Sequence, residues 1–149
     1  MAKVIVIHGP NLNMLGLREP EIYGINTLKE INERLLEEAN RLGLDIETFQ
    51  TNGEGEIIDL IQSARQSSDA LILNPGAYSH YSLAIRDAVS AAGLPTIEVH
   101  LSNIYSRERF RRKSVIAGVC LGQITGFGID SYILALHAVS RLLGQAPPR

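Results

Sequence analysis

Tyr23 and Arg18 are the first pair of residues in the chain whose types suit acid–base chemistry. They lie five positions apart in a polar stretch that follows the apolar run 4–7. A free tyrosine has a pKa near about 10 and is a poor base at neutral pH, but a neighbouring guanidinium favours the phenolate. Arginine suits that task because it stays charged. The alternative from spacing alone is that Tyr23 packs against the domain and Arg18 is solvated.

Histidines supply the complementary acid. Three of the four histidines follow apolar runs that read as strands, together with asparagine, serine and glutamate side chains. The fourth, His137, lies in an apolar helical segment and is interpreted as structural. The residues that follow predicted strands are His8 and Asn11, then Asn74 and His80, then Glu98, His100 and Ser102. This grouping favours a functional site over isolated structural histidines.

Other chemistries are less well supported. Imidazoles with Glu98 could bind zinc, but the chain has neither HxH nor HExxH spacing. It also has no GxGxxG, Walker A or GxSxG motif. The only lysines are Lys3, Lys29 and Lys113, and Lys3 precedes the first strand while Lys29 falls on a helix. A Schiff-base mechanism is therefore poorly supported, because it needs a lysine near the predicted site.

Composition bounds the class of protein. The chain has 149 residues, 45% of them hydrophobic, and a net charge of −2. No apolar run approaches the ~20 residues of a membrane span, and no basic excess indicates nucleic-acid binding. The basic run 107–113 is either a solvated face or an anion clamp. The single Cys120, predicted to be a buried thiol, fits a reducing compartment, and we expect a cytoplasmic protein without a signal peptide.

Strands and helices alternate along the chain. Apolar runs predict strands at 4–7, 44–49, 70–73 and 96–99, and a fifth within 115–125. Helical spacing predicts helices over 28–42, from about 54 through 64, over 82–92 and over 131–143. The stretch 9–26 is predicted to be a long polar loop that acts as a lid, 101–114 a loop or short helical turn, and 144–149 a frayed tail.

This alternation predicts a single α/β domain over residues 1–149. Right-handed βαβ units give a five-stranded parallel sheet covered on both faces, and we expect a flavodoxin-like three-layer sandwich with strand order 2-1-3-4-5. In such folds ligands bind beyond the carboxyl ends of the strands, near the switch point between strands 1 and 3. The polar residues that follow the strands are therefore expected to meet there.

Several long motifs then point to one family. They are His-Gly-Pro-Asn-Leu-Asn-Met-Leu-Gly (8–16), Arg-Glu-Pro-x-Ile-Tyr-Gly (18–24), Asn-Pro-Gly-Ala-Tyr-Ser-His (74–80), Arg-Asp-Ala (86–88) and Glu-Val-His-Leu-Ser-Asn (98–103). In order and spacing they resemble type II 3-dehydroquinate dehydratases over essentially the whole chain. The resemblance implies a homo-oligomer, usually a dodecamer built from trimers. It also implies loss of water from 3-dehydroquinate to give 3-dehydroshikimate, in the shikimate pathway or in quinate breakdown.

The resemblance further implies an anti elimination through an enolate, with no metal, cofactor or Schiff base. By motif, Tyr23 removes the proton alpha to the ketone, and Arg18 stabilises the phenolate and the developing charge. Asn11 would help stabilise the enolate through a held water. His100 would protonate the departing hydroxyl, with Glu98 orienting it.

Substrate binding is carried over in the same way. Asn74, the backbone amides of Leu101 and Ser102, and the Ser102 hydroxyl would receive the substrate carboxylate. His80 and Arg111 would bind ring hydroxyls, and Asp87 would reach a ligand in a neighbouring subunit's site. The chain departs from the family at 51–55, where relatives often read Ser-Asn-His-Glu-Gly, and at Tyr81, where a small hydroxyl residue is common.

Two other functions compete with the dehydratase. A non-catalytic flavodoxin-like module that binds a small anion or a partner would keep the sheet and the pocket but need no base. A metal-dependent lyase would use His8, His80 and His100 as ligands. The metal-dependent lyase requires His8, His80 and His100 to lie close together in the folded chain.

Overall fold

A five-stranded parallel sheet in the order β2-β1-β3-β4-β5 forms the centre of the molecule, as predicted. The structure is a computed structural model that describes residues 1–17 and 19–144. The strands are β1 Lys3–His8, β2 Asp45–Gln50, β3 Ala70–Asn74, β4 Thr96–His100 and β5 Gly122–Thr125. Every residue of β3 and β4 is buried. Their continuous apolar composition therefore suits central strands covered on both faces.

Helices cover both faces of the sheet. They are α1 Pro20–Tyr23, α2 Leu28–Leu42, α3 Glu54–Ser67, α4 Leu83–Ala92 and α5 Ile129–Leu143. Residues of α2 and α5 share one buried apolar cluster with one face of the sheet, and residues of α3 and α4 share a second cluster with the other face. No helix of the described ranges is long and apolar enough to cross a bilayer.

The register of the central strands brings their carboxyl ends together. His8 of β1 is paired with Asn74 of β3, and Leu73 is paired with Glu98 of β4. The turns that follow these strands therefore start within a short distance of one another. This is the edge of the sheet at which the polar motifs are expected to meet.

The predicted loop 9–26 differs from the structure, whereas the strand predicted within 115–125 is confirmed. The stretch 9–26 is not a continuous loop, because it contains a 3-10 turn at Leu12–Met14 and the short helix α1. Pro20 begins α1, and proline is favoured there because its fixed φ fits the first helical turn. In 115–125 the strand is confined to its last four residues, and Ala117–Val119 forms a 3-10 turn instead.

Smaller predictions have mixed outcomes. Cys120 is half-buried rather than fully buried, and burial raises the pKa of its thiol to about 12. His137 is structural as predicted, since its Nε2 lies 2.6 Å from Glu38 Oε2 and links α5 to α2. Arg18 and residues 145–149 of the predicted tail lie outside the described residues.

Candidate active site

A cavity of about 140 Å³ opens at the carboxyl edge of the sheet, where the fold was expected to place it. Turns after three strands supply its walls. Residues predicted from sequence that line the cavity are Asn11, Tyr23, Asn74, His80, His100, Leu101, Ser102 and Arg111. Pro10, Leu12, Leu15, Gly76, Ala77, Ile104 and Arg107 complete the wall. Tyr23 and His100 therefore face a single cavity.

Gly9 allows the turn after β1 to approach the end of β3. Its backbone N–H donates to the Asn74 carbonyl at 2.8 Å. A Cβ on Gly9 would lie only 2.7 Å from that oxygen, so no other residue fits without a backbone shift. Two residues later, Asn11 adopts a left-handed φ of 68°, which asparagine tolerates better than most residues. This turn carries Asn11 to the cavity wall.

Tyr23 ends α1 and is half-buried. Its ring packs against the apolar cluster beneath α2 and α5, and it also lines the cavity. The Arg107 guanidinium carbon lies 5.1 Å from the ring centroid, which places a fixed positive charge over the phenol. Arg107 belongs to the basic run 107–113, and the sequence offers it, beside Arg18 and Arg111, as a guanidinium that could act on Tyr23.

His100 and Glu98 form a buried pair on one side of β4. Both side chains point the same way because the strand continues through both residues. The His100 Nε2 donates to the Glu98 carboxylate, and Glu98 has no exposed surface. With Nε2 engaged, Nδ1 is the ring nitrogen that remains for a substrate.

Ser114 and Gln123 were missed by sequence reasoning, and both contact the Glu98 carboxylate. The Ser114 Oγ lies 2.8 and 2.9 Å from its two oxygens, and Gln123 Nε2 donates at 3.2 Å. The backbone N–H groups of Ile116 and Ala117 donate to the Ser114 oxygen, so its proton is directed at Glu98. These donors give hydrogen-bond partners to a carboxylate that has no exposed surface.

His80 is held in one tautomer. Its Nδ1 donates to the Lys113 carbonyl at 2.8 Å, which leaves Nε2 as an acceptor in the neutral ring. Partial burial lowers the pKa of His80, and the charges of His100 and Arg111 lower it further. His80 is therefore suited to accept a hydrogen bond from a hydroxyl group.

Arg111 and Ser102 both contact charged residues of the loop that follows β4. The Arg111 Nε lies 3.1 Å from Glu108 Oε1, so the two side chains form an ion pair. The Ser102 hydroxyl accepts from Arg107 Nη1 at 3.2 Å. Positive charge therefore gathers on the side of the cavity that follows β4, which suits an anionic ligand.

His8 contradicts the prediction that three histidines share the site. It lies beneath the cavity wall, fully buried, between Asn32 of α2 and Tyr132 of α5. Burial lowers the pKa of His8 to about 4, so the ring is neutral at physiological pH. Successive side chains of a strand point to opposite faces, and His8 faces the layer of α2 and α5.

Asp87 does not reach this cavity within one chain. It is exposed on α4 and is not among the residues of the wall. Among residues 1–17 and 19–144, no three His, Cys, Asp or Glu side chains are grouped so that they could hold a metal ion. His8, His80 and His100 are not brought together as a ligand set, since His8 lies outside the wall.

The fold and this site define a flavodoxin-like α/β protein with acid–base side chains at the carboxyl edge of its sheet. The family model for class II dehydroquinases matches residues 2–140. The chain therefore belongs to the class II dehydroquinase family.

Individual proteins of the same family are similar to this chain over most of its length. A 3-dehydroquinate dehydratase of Pelotomaculum thermopropionicum is 58% identical over 142 residues, which cover 95% of this chain and 99% of that protein. One of Geotalea daltonii is 60% identical over 137 residues, covering 92% and 95%. The crystal structure of a type II dehydroquinase from Butyrivibrio crossotus superposes with a TM-score of 0.91 at 45% identity, covering 93% of this chain and 97% of that one.

Proposed function

We propose that the chain is a lyase that dehydrates 3-dehydroquinate to 3-dehydroshikimate by an anti elimination in which Tyr23 is the base and His100 the acid. Membership of the class II dehydroquinases supports the reaction and its place in the shikimate pathway. The observation that carries the assignment of roles is that Tyr23 and His100 line one cavity, with His100 bonded to the buried Glu98.

The first step is removal of the proton alpha to the ketone by the Tyr23 phenolate. The Arg107 guanidinium lies over the Tyr23 ring, so a positive charge stands beside the proposed base. Electrons of the broken C–H bond move to the ketone oxygen and give an enolate. Asn11, through a held water, and Arg18 are the proposed donors to that developing charge.

The second step is departure of the hydroxyl group. The His100 imidazolium gives its Nδ1 proton to the leaving oxygen, which departs as water while the enolate re-forms the ketone and a conjugated double bond. Glu98 stabilises the imidazolium and holds the ring through Nε2. Tyr23 is then a phenol and His100 a neutral ring, so one proton passes from Tyr23 to His100 before the next turnover.

The substrate carboxylate is placed against Asn74, the backbone amides of Leu101 and Ser102, and the Ser102 hydroxyl. Arg107 adds positive charge beside Ser102. Arg111 and the acceptor nitrogen of His80 are assigned to the ring hydroxyls. These groups come from turns after two different strands, which supports a fixed orientation of the ring between base and acid.

Assembly and location extend the proposal. Residues 1–149 form one catalytic domain, its segment 16–24 closes over the substrate as a lid, and the active protein is a cytoplasmic dodecamer built as a tetramer of trimers. Asp87 contacts the site of a neighbouring subunit. Its exposure on α4, away from the cavity of its own chain, is consistent with that role.

Replacement of Tyr23 by phenylalanine tests the base. Tyr23→Phe keeps the ring that packs on the core but lacks the phenolic oxygen, so kcat is expected to fall by about 10²–10⁴-fold with a nearly unchanged KM. Turnover is followed by the conjugated-enone absorbance of the product. A near-normal kcat would refute the base assignment.

Controls separate this mechanism from its alternatives. Tyr105→Phe, at a tyrosine 59% exposed outside the cavity, is expected to retain wild-type kcat. Borohydride added with substrate is expected to leave activity intact, because no imine forms. Full activity after chelation is expected, whereas its loss would favour the metal-dependent lyase.

A further inference from the structure

A buried chain of hydrogen bonds runs from the cavity wall to helix α2. Asn74 Nδ2 lies 3.0 Å from the Tyr132 hydroxyl, which lies 2.8 Å from His8 Nδ1. His8 Nε2 lies 2.8 Å from Asn32 Oδ1. Tyr132 and His8 have no exposed surface and Asn74 is 3% exposed, so water does not compete for these bonds.

One backbone amide determines which atom is the donor and which the acceptor in the bond between Asn74 and Tyr132, and the later bonds follow from it. Gly76 N–H donates to Asn74 Oδ1 at 3.1 Å, and a backbone amide has no other role available. The Asn74 amide nitrogen must therefore face Tyr132 and donate to its oxygen.

The remaining bonds are then fixed in turn. The Tyr132 proton needs an acceptor, and His8 Nδ1 is within reach. A neutral His8 that accepts at Nδ1 carries its proton on Nε2, which donates to Asn32 Oδ1. Burial keeps His8 neutral, with a pKa of about 4, so the direction is maintained at physiological pH.

The direction decides what Asn74 offers to a ligand. One of its two N–H groups is used by Tyr132, so the second is left as a donor on a residue that lines the cavity. If the amide were rotated by half a turn, its oxygen would face Tyr132 and its N–H groups would face the Gly76 amide. That orientation loses the Gly76 bond and sets two donors against each other, and the single Tyr132 proton could then serve only one of the two acceptors, the Asn74 oxygen or His8 Nδ1.

We propose that the Tyr132 hydroxyl and the His8 imidazole are positioning residues that, together with the Gly76 amide, hold the Asn74 side chain in the orientation that leaves an N–H for the carboxylate of the substrate. The proposal rests on the proposed contact between Asn74 and that carboxylate. Asn32, outside the cavity wall, completes the chain by fixing the His8 tautomer. Residues that do not contact the ligand therefore orient the Asn74 donor that binds its carboxylate.

Tyr132→Phe tests the proposal because it removes one oxygen and keeps the ring. The expected result is a KM for 3-dehydroquinate raised about tenfold, with kcat per folded active site within about threefold of wild type. A purely structural role would reduce the amount of folded protein and leave the KM of the remainder unchanged. Circular dichroism and active-site titration measure the folded fraction.

Asn74→Ala supplies the reference. It is expected to raise KM at least as much as Tyr132→Phe, because it removes the donor itself. A raised KM in Asn74→Ala with a wild-type KM in folded Tyr132→Phe would overturn the positioning role and leave the proposed function standing. A wild-type KM in Asn74→Ala would instead refute the carboxylate contact, and the positioning role with it.

Asn32→Asp provides a second test that does not depend on the stability of Tyr132→Phe. The new carboxylate favours a protonated His8, whose Nδ1 then donates to Tyr132 and reverses one bond of the chain. KM is expected to rise several-fold. Asn40→Asp, at an exposed position of the same helix, adds the same charge without touching His8 and is expected to leave KM unchanged. Equal KM values for the two variants would contradict the proposal.

Discussion

At the scale of single residues, the contacts of Glu98 give the clearest indication of how His100 is oriented. A buried carboxylate is costly unless donors surround it. Here three side chains contact it, from His100, Ser114 and Gln123. The arrangement keeps a negative charge against His100 while leaving the other nitrogen of that ring for the cavity. It is the geometry expected of an oriented acid.

Glu98→Gln tests this at the residue scale. The amide keeps the shape but offers one acceptor oxygen to three donors and carries no charge to stabilise an imidazolium. We expect kcat to fall by about 10²-fold or more, with KM changed only a few-fold. Steady-state kinetics measure both. Glu47→Gln, an exposed glutamate on β2 that pairs with Lys3 at the far end of the sheet, is the matched control and should behave as wild type.

At the scale of elements, helix α2 anchors the end of the segment that carries Tyr23. Its N-terminus is a full capping box, since the Thr27 hydroxyl accepts from Glu30 N–H at 3.2 Å and a Glu30 carboxylate oxygen accepts from Thr27 N–H at 3.4 Å. Both bonds satisfy amides that lack partners within the helix. The cap therefore fixes where the polar segment stops and the helix begins.

Thr27→Ala removes that cap. The free energy of unfolding is expected to fall by about 1 kcal/mol, and Tm by about 2–4 °C. Ser63→Ala, an exposed mid-helix position of α3, is the control and should cause no loss, because alanine is the better helix former. Thermal unfolding followed by circular dichroism measures both. An unchanged Tm in Thr27→Ala would mean that the cap contributes nothing measurable.

At the scale of the whole molecule, His8 links stability to pH. Its pKa falls from 6.5 to about 4 in the folded chain because of burial. Between these values the unfolded chain binds a proton that the folded chain does not. The free energy of unfolding is therefore expected to fall as pH is lowered from about 6.5 to 4, by about 3 kcal/mol from this residue. Above pH 6.5 the contribution is constant.

Urea denaturation at pH values from 7 to 4 measures this dependence. His8→Gln removes the titrating group, so its free energy of unfolding should be lower at pH 7 but flatter across the window. His80, whose pKa is also lowered, contributes in the same direction in both proteins and cancels in the comparison. Asn40→Gln, at an exposed position of α2 with no titrating group, should retain the wild-type slope. Parallel curves for wild type and His8→Gln would show that His8 does not carry the effect.

The sequence by itself determined the sheet order, the strands and most helices, because apolar runs, the cap at Thr27 and the stop at Gly43 are local signals. It also indicated most of the cavity wall, because parallel strands place the turns after them at one edge. Its error at His8 has a physical cause. A strand end alone does not say which face of the sheet a side chain joins.

Only the tertiary structure decided which distant groups meet. Ser114 contacts a carboxylate 16 positions away, and Tyr132 contacts His8 at a separation of 124 positions. Nothing in the local pattern marks either residue, since a serine after a basic run and a tyrosine in an apolar helix are ordinary. Their partners depend on how helices and turns dock onto the sheet, and that docking sets the tautomers and donor directions on which the proposed chemistry depends.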